Sequence, residues 1–419
     1  MKNADDLFDE SGDIFNEWGL SEIPFTESAG ELKQNQLRNV FTGRESELRQ
    51  VFRLVRGRDR KRIFVYGWIG VGKTAFVREV IGVLERKMPK TLATYISLPP
   101  GMDLSTAALI GLAHKLPDDD WAQHLLTQMG LPPGRRAVEK KTVIKAGLAG
   151  SGVETEEETV PITKPQYPAA SFGGLLERAY QKYERVVIAI DDLEKRDPDR
   201  VRQMLRDEQG LLKGRVWFLL TGHPATITHD ILARELGLFD LALELKPMDQ
   251  DTTYRMFVNY LNSARSKENQ RNYDEPQAVW PFTPETAKAL CERSEGIPRM
   301  LNRLGNYVLL KAAELQVSII TPDVLRAGFD YANQQLRGQP GLSVEELYIL
   351  ELVLGKGSLS DESVTLEDLE KANAKEFREI LPVLEKLVQR DLLRRLPSEH
   401  ATEYAPSPLI FYQKDDKQE

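Results

Sequence analysis

"RIFVYGWIGVGKTAFVREVIGVLERK", Arg62 to Lys87, decides the fold. Four residues of strand type, Ile63 to Tyr66, run into Gly67-x-x-x-x-Gly72-Lys73-Thr74. A helical pattern then opens with Phe76, Val77, Val80, Ile81 and Leu84 on one face. Strand, glycine loop and helix in that order predict a phosphate cradle. Glycines at 67, 70 and 72 let backbone N–H groups turn inward, and the positive end of the following helix adds to the attraction. Lys73 would neutralise β- and γ-phosphates, and Thr74 would offer its hydroxyl to Mg2+. The expected nucleotide-contacting set is Gly67, Ile69, Gly70, Val71, Gly72, Lys73, Thr74 and Ala75.

A second stretch, "ERVVIAIDDLEKRD" from Glu184, completes the expected site. Its continuous apolar run predicts a buried parallel strand, and an acid at the carboxyl end of such a strand lies where open α/β sheets bind ligands. Asp191 is expected to hold Mg2+ through water. Asp192 is the candidate to orient the attacking water, yet it is one methylene shorter than glutamate. A misplacement of about 1 Å can cost on the order of 10²-fold in rate, so slow turnover is expected. Glu194 could substitute only if the strand continues, and either Asp192 or Glu194 could instead cap the next helix. A third apolar run, "RVWFLLTGHP", ends in Thr221 and His223. Thr221 is the expected polar contact, whereas His223 reads equally well as a turn residue before Pro224.

The whole chain sets bounds on the reading. With 419 residues there is room for two or three domains, and 41% hydrophobic with 29% charged residues is ordinary for a globular protein. One cysteine, Cys291, permits neither an internal disulfide nor a thiolate cluster, which points to a reducing cytoplasmic compartment. The acidic start "MKNADDLFDE" lacks a secretory pattern, and no apolar run approaches the ~20 residues needed to span a bilayer, so no membrane partner is expected. A net charge of −8 excludes wholesale coating of nucleic acid; any DNA contact must come from a patch. The five histidines are scattered, and no Ser-His-Asp or chelating cluster is evident.

At this point the chain resembles the AAA+ ATPases, because further segments follow in that family's order. "RVWFLLTGHP" resembles the sensor strand, which implies that Thr221 touches the γ-phosphate or the attacking water. "FTGRESELRQVFRLV", from Phe41, is similar to the opening helix of origin-recognition and ExeA/TniB-type ATPases, whose preceding segment packs on adenine. "ILARELGLFDLALELKPMD" resembles the box of the arginine finger, which maps to Arg234. "RSEGIPRMLNRLGNYVLLKAAE" matches the lid helix with the second sensor, carried by Arg299. The resemblance implies ATP and Mg2+ as cofactors, with Asp192, Glu194, Thr221, Arg234 and Arg299 as the catalytic set and Thr74 and Asp191 at the metal. Physically, Arg299 follows a proline at a helix start, so a lid could bring its guanidinium to a γ-phosphate. A finger supplied in trans by Arg234 requires head-to-tail homo-oligomers. Either arginine could instead be an ordinary surface residue.

The expected fold is therefore α/β, a P-loop parallel-sheet core with a helical lid and a C-terminal winged helix. The expected boundaries are an N-terminal extension over 1–36, a nucleotide-binding core over 37–248 with an insert at about 99–170, a lid over 249–335 and a winged helix over 342–413. The insert carries Arg135, Arg136, Lys140, Lys141 and Lys145 and then acidic Glu154 to Glu158. It is expected to hold helices and a glycine-turned hairpin or a solvated loop. In the winged helix, Lys375, Arg378 and Lys386 could face DNA, but residues 342–400 carry 13 acids against 8 bases. A denser basic patch is "RLVRGRDRKR", Arg53 to Arg62. These features point to an oligomerising nucleotide switch working on DNA or with a DNA-acting partner. A STAND-like signalling ATPase that recruits a protein effector, in defence against phage for example, is the alternative.

Overall fold

The computed structural model describes residues 14–25, 34–56, 61–99, 101–132, 167–193, 198–222, 238–337, 342–396 and 403–410. Two compact units emerge: one spans 29–246, and the other combines 1–28 with 247–419.

The 29–246 unit is built on five parallel strands, β1 (Arg62–Gly67), β2 (Thr91–Ser97), β3 (Arg185–Asp191), β4 (Trp217–Gly222) and β5 (Leu241–Leu245), in the order β2-β3-β4-β1-β5. Strand alternation explains the two faces. Ile63 and Val65 of β1 join Val51, Phe76, Val77 and Val80 on one side, while Phe64 joins the core on the other. The first side is covered by α2 (Glu45–Val55) and α3 (Lys73–Lys87), with α1 (Gln34–Val40) beside α3. The second is covered by α4 (Leu104–His114), α5 (Asp120–Gln128) and α6 (Pro168–Ala179). Two short helices, α7 (Pro198–Asp207) and α8 (Gln209–Leu212), follow β3.

The first part of the long β2-to-β3 connection is thus core. Leu104 to Ala113 of α4 are all buried, and Asp103 and Asp119 cap α4 and α5 through their side chains. The basic segment at 135–145, the expected hairpin and the acidic run at 154–158 lie outside the described residues.

In the other unit, α9 (Gln250–Ser263), α10 (Pro284–Arg293), α11 (Pro298–Glu314) and α12 (Pro322–Arg337) form a helical region. Thr283 caps α10 with a reciprocal box to Thr286. Three helices, α13 (Val344–Lys356), α14 (Leu366–Lys371) and α15 (Phe377–Gln389), lead into the antiparallel hairpin β6 (Leu393–Leu396) and β7 (Glu403–Pro406), the order of a winged helix. Glu385 of α15 accepts hydrogen bonds from Arg395 and Tyr404, which ties the hairpin to its third helix.

Residues 14–25 belong with this unit. Trp18 is buried and donates its indole N–H to the Val317 carbonyl at 3.2 Å, and Phe25 stacks on Phe257 with ring centroids 5.4 Å apart. A Cβ at position 305 would meet the Phe25 ring at 2.7 Å, so Gly305 makes room for it.

Candidate functional site

Parallel register brings four strand ends to one edge. Ser97 pairs with Asp191, Val65 with Thr221, and Tyr66 with Gly222, so the glycine loop leaves β1 beside the acidic end of β3 and the polar end of β4. β4 lies between β3 and β1 in the sheet.

The loop's shape depends on its glycines. A Cβ at position 67 would come within 2.5 Å of the Leu245 carbonyl oxygen, and Gly72 starts α3 from a left-handed φ of 101°. Lys73 is 4% exposed, and its ammonium donates to the carbonyls of Gly67 at 2.9 Å and Trp68 at 3.1 Å. The side chain therefore already lies across the loop's mouth, where a phosphate would offer it a stronger, ionised acceptor.

Arg44 supports the loop from outside the motif. It is buried, donates to the Val71 carbonyl at 3.0 Å and pairs with Glu47 at 3.2 Å. Burial pulls its guanidinium below the ordinary arginine value, against the raising effect of Glu47. Sequence reasoning passed over this residue. The only signal was its place just before α2 in "FTGRESELRQ".

Asp191 is 1% exposed and receives four donors. Thr74 and Tyr95 each donate a hydroxyl to Oδ2 at 2.6 Å, Thr221 donates its hydroxyl to Oδ1, and the Asp192 N–H donates to Oδ1 at 3.0 Å. Burial pushes the Tyr95 phenol far up, and the Asp191 charge and hydrogen bond push it further, so Tyr95 keeps its proton and donates. Arg78 lies near enough for Tyr95 and Asp191 to raise its pKa, although burial outweighs them and lowers it.

Asp192 adopts φ 69°, a left-handed conformation that aspartate tolerates better than most residues. Its N–H also meets the Thr221 hydroxyl at 3.2 Å, and its carboxylate accepts the Ser97 hydroxyl. β3 ends at Asp191, so the strand continuation that would have aligned Glu194 with it does not occur.

The oxygen-rich set fits Mg2+. Among the described residues, no three His, Cys, Asp or Glu side chains cluster into a protein cage. Mg2+ commonly keeps several waters and uses one or two carboxylates together with substrate phosphates, and a buried carboxylate beside a threonine hydroxyl suits that chemistry.

The sequence profile of the AAA ATPase domain matches residues 40–218. This chain carries an AAA ATPase domain. The glycine loop, Lys73, Thr74, Asp191, Asp192 and Thr221 all lie in the compact unit that contains this AAA domain. No curated protein matches the sequence. Among solved structures, the Orc1 protein of Aeropyrum pernix in complex with DNA is similar, with 14% identity, 90% of this chain and 92% of that one covered, and a TM-score of 0.48. Cdc6 of Pyrobaculum aerophilum shows 14% identity, coverage of 90% and 95%, and a TM-score of 0.42. The RuvB Holliday junction branch migration motor of Thermotoga maritima shows 14% identity, coverage of 90% and 94%, and a TM-score of 0.41.

The remaining expected residues lie elsewhere. Glu194, His223 and Arg234 fall outside the described residues, as do Arg58 and Arg60 of the basic patch. Arg62 of that patch is engaged by Asp240, with N–O contacts of 3.2 and 3.3 Å. Arg299 belongs to the other compact unit, as the second residue of α11 after Pro298. There its guanidinium lies 3.5 Å from Asp391, which also binds Arg303 at 2.8 Å. The turn before α11 is close-packed: Gly296 has φ 72°, and a Cβ there would meet the Met248 carbonyl at 2.0 Å. No helix among the described residues is long and apolar enough to cross a membrane.

Proposed function

We propose that the AAA domain binds ATP with Mg2+ and hydrolyses it slowly, serving as a nucleotide switch. The observation that carries this reading is the state of Asp192: turned left-handed at the end of β3 and held by Ser97. An acid so held is poorly placed to take a proton from an attacking water, and general-base catalysis needs that reach.

In this reading the N–H groups of Ile69, Gly70, Val71, Gly72, Thr74 and Ala75 and the Lys73 ammonium bind the phosphates. Thr74 and Asp191 hold the cation. Bound Mg2+ would neutralise charge on the β- and γ-phosphate oxygens. Thr221, hydrogen-bonded to both the Asp191 carboxylate and the Asp192 N–H, links nucleotide contact to the water-orienting residue. Arg299 is assigned to sensing the γ-phosphate and Arg234 to a neighbouring copy's nucleotide, which makes homo-oligomers the active form.

The downstream partner divides into two readings. Action on DNA follows the resemblance to origin-recognition and transposition ATPases. A protein effector, as in STAND-type signalling, is favoured by the state of the winged helix. Five of the eight bases in residues 342–400, Lys356, Lys371, Lys386, Arg394 and Arg395, are paired with Asp368, Glu367, Glu346, Glu295 and Glu385, which lowers the positive charge available to displace counterions from a duplex.

ATP turnover with and without double-stranded DNA at two salt concentrations tests both parts. Slow turnover that DNA accelerates, less so at high salt, supports the DNA reading. Co-purified ADP with no DNA response supports the effector reading. Undiminished ATP affinity in Lys73→Ala would overturn the nucleotide site itself.

A further inference from the structure

Strand β2 offers two hydroxyls from one face. Tyr95 and Ser97 are two residues apart and so point to the same side of the sheet, and each donates to a different member of the aspartate pair. Ser97 takes Asp192, one residue past its own register partner. Tyr95, paired in register with Ala189, reaches two residues along β3 to Asp191 Oδ2.

The Tyr95 contact is not required by packing. Its ring lies against the Ile63, Val65 and Val77 side of the core, where phenylalanine would serve as well. The hydroxyl is an added polar atom in a largely buried place, where leaving it unpaired is destabilising. Its acceptor is the one carboxylate assigned to the metal. Two donors meet each Asp191 oxygen, and Tyr95 shares Oδ2 with Thr74, the other residue assigned to the metal.

We propose that Tyr95 is a positioning residue for the divalent cation: its hydroxyl holds the Asp191 carboxylate in the orientation in which it meets the magnesium of a bound nucleotide. This rests on the nucleotide reading above. Groups that orient metal-binding side chains typically carry 10–100-fold in metal affinity, even when they do not touch the ion.

Binding of a fluorescent ATP analogue to the full chain, titrated with Mg2+ from an EDTA-treated start, tests the inference. Mn2+ binding to the ADP complex, followed by electron paramagnetic resonance, gives a direct cation readout. Tyr95→Phe is expected to raise the Mg2+ midpoint about tenfold and weaken Mn2+ by a similar factor, with Mg2+-free nucleotide affinity unchanged. Tyr183→Phe, a partly buried tyrosine just before β3, should match wild type throughout. Equal midpoints for wild type and Tyr95→Phe would overturn the role of Tyr95 alone. Equal loss of affinity with and without Mg2+ would also overturn it, because it would mark a purely structural effect. A wild-type protein that takes up no nucleotide, or whose uptake ignores Mg2+, would overturn the nucleotide reading as well.

Discussion

Ser97 donates its hydroxyl to the carboxylate of Asp192, across the β2–β3 pairing in which Ser97 stands opposite Asp191. The contact holds a candidate catalytic acid by a group with no chemistry of its own. Ser97→Ala should remove this one restraint on the carboxylate and raise single-turnover hydrolysis by about three- to tenfold, a fraction of what a 1 Å misplacement can cost. Phosphate release from a pre-formed ATP complex measures it. An unchanged or slower rate would show that Ser97 aids Asp192 rather than restraining it.

Arg44 predicts a loss in both stability and nucleotide affinity. Its removal leaves the Val71 carbonyl without its donor and Glu47 without its buried partner. Arg44→Ala should cost about 2–3 kcal/mol in denaturant unfolding. Nucleotide affinity should fall with it, because the loop loses its outer support. Unfolding monitored with and without ATP separates the two effects.

The two arginines on Asp391 should behave differently. Arg303 is 2.8 Å away with both partners 13% exposed, whereas Arg299 is 3.5 Å away and 40% exposed. Arg303→Ala is expected to cost about 1–3 kcal/mol. Arg299→Ala should cost under about 1 kcal/mol and instead blunt discrimination between ATP and ADP. Thermal melts and competition binding compare them directly.

Asp368 gives the C-terminal helices α13 and α14 a titratable brace. Burial alone would raise its pKa, but Lys356 and Thr365 outweigh burial and bring it down to about 2. A depressed folded-state pKa contributes stability above the ordinary carboxylate value, near 4. That contribution is lost as pH falls toward about 2. Asp368→Asn should therefore melt below wild type at pH 6, with the gap closing as pH falls through this window. A gap that persists to pH 2 would contradict the assignment.

The parts of the site legible in sequence were those encoded by neighbours along the chain. Gly67 to Thr74 could be read because strand, loop and helix are contiguous, and Asp191 because an apolar run stops at it. Arg44, Tyr95 and Ser97 could not, since each acts through a contact 27 to 96 residues away in sequence, and a lone arginine, tyrosine or serine carries no periodic signal. The same reason hid Asp391 behind α15 and the docking of Trp18 and Phe25, whose partners lie hundreds of residues downstream. The condition attached to Glu194 could be decided only by the backbone turn at Asp192.

The left-handed turn at Asp192 bears on how such a protein could change over time. Lengthening this side chain to glutamate would put a residue less at ease with that backbone into a place still gripped from β2. A change at Asp192 and a change at Ser97 would then act on one contact between adjacent strands, so the effect of either is expected to depend on the other. Evolution at either of these two positions is thereby tied to the residue that stands at the other.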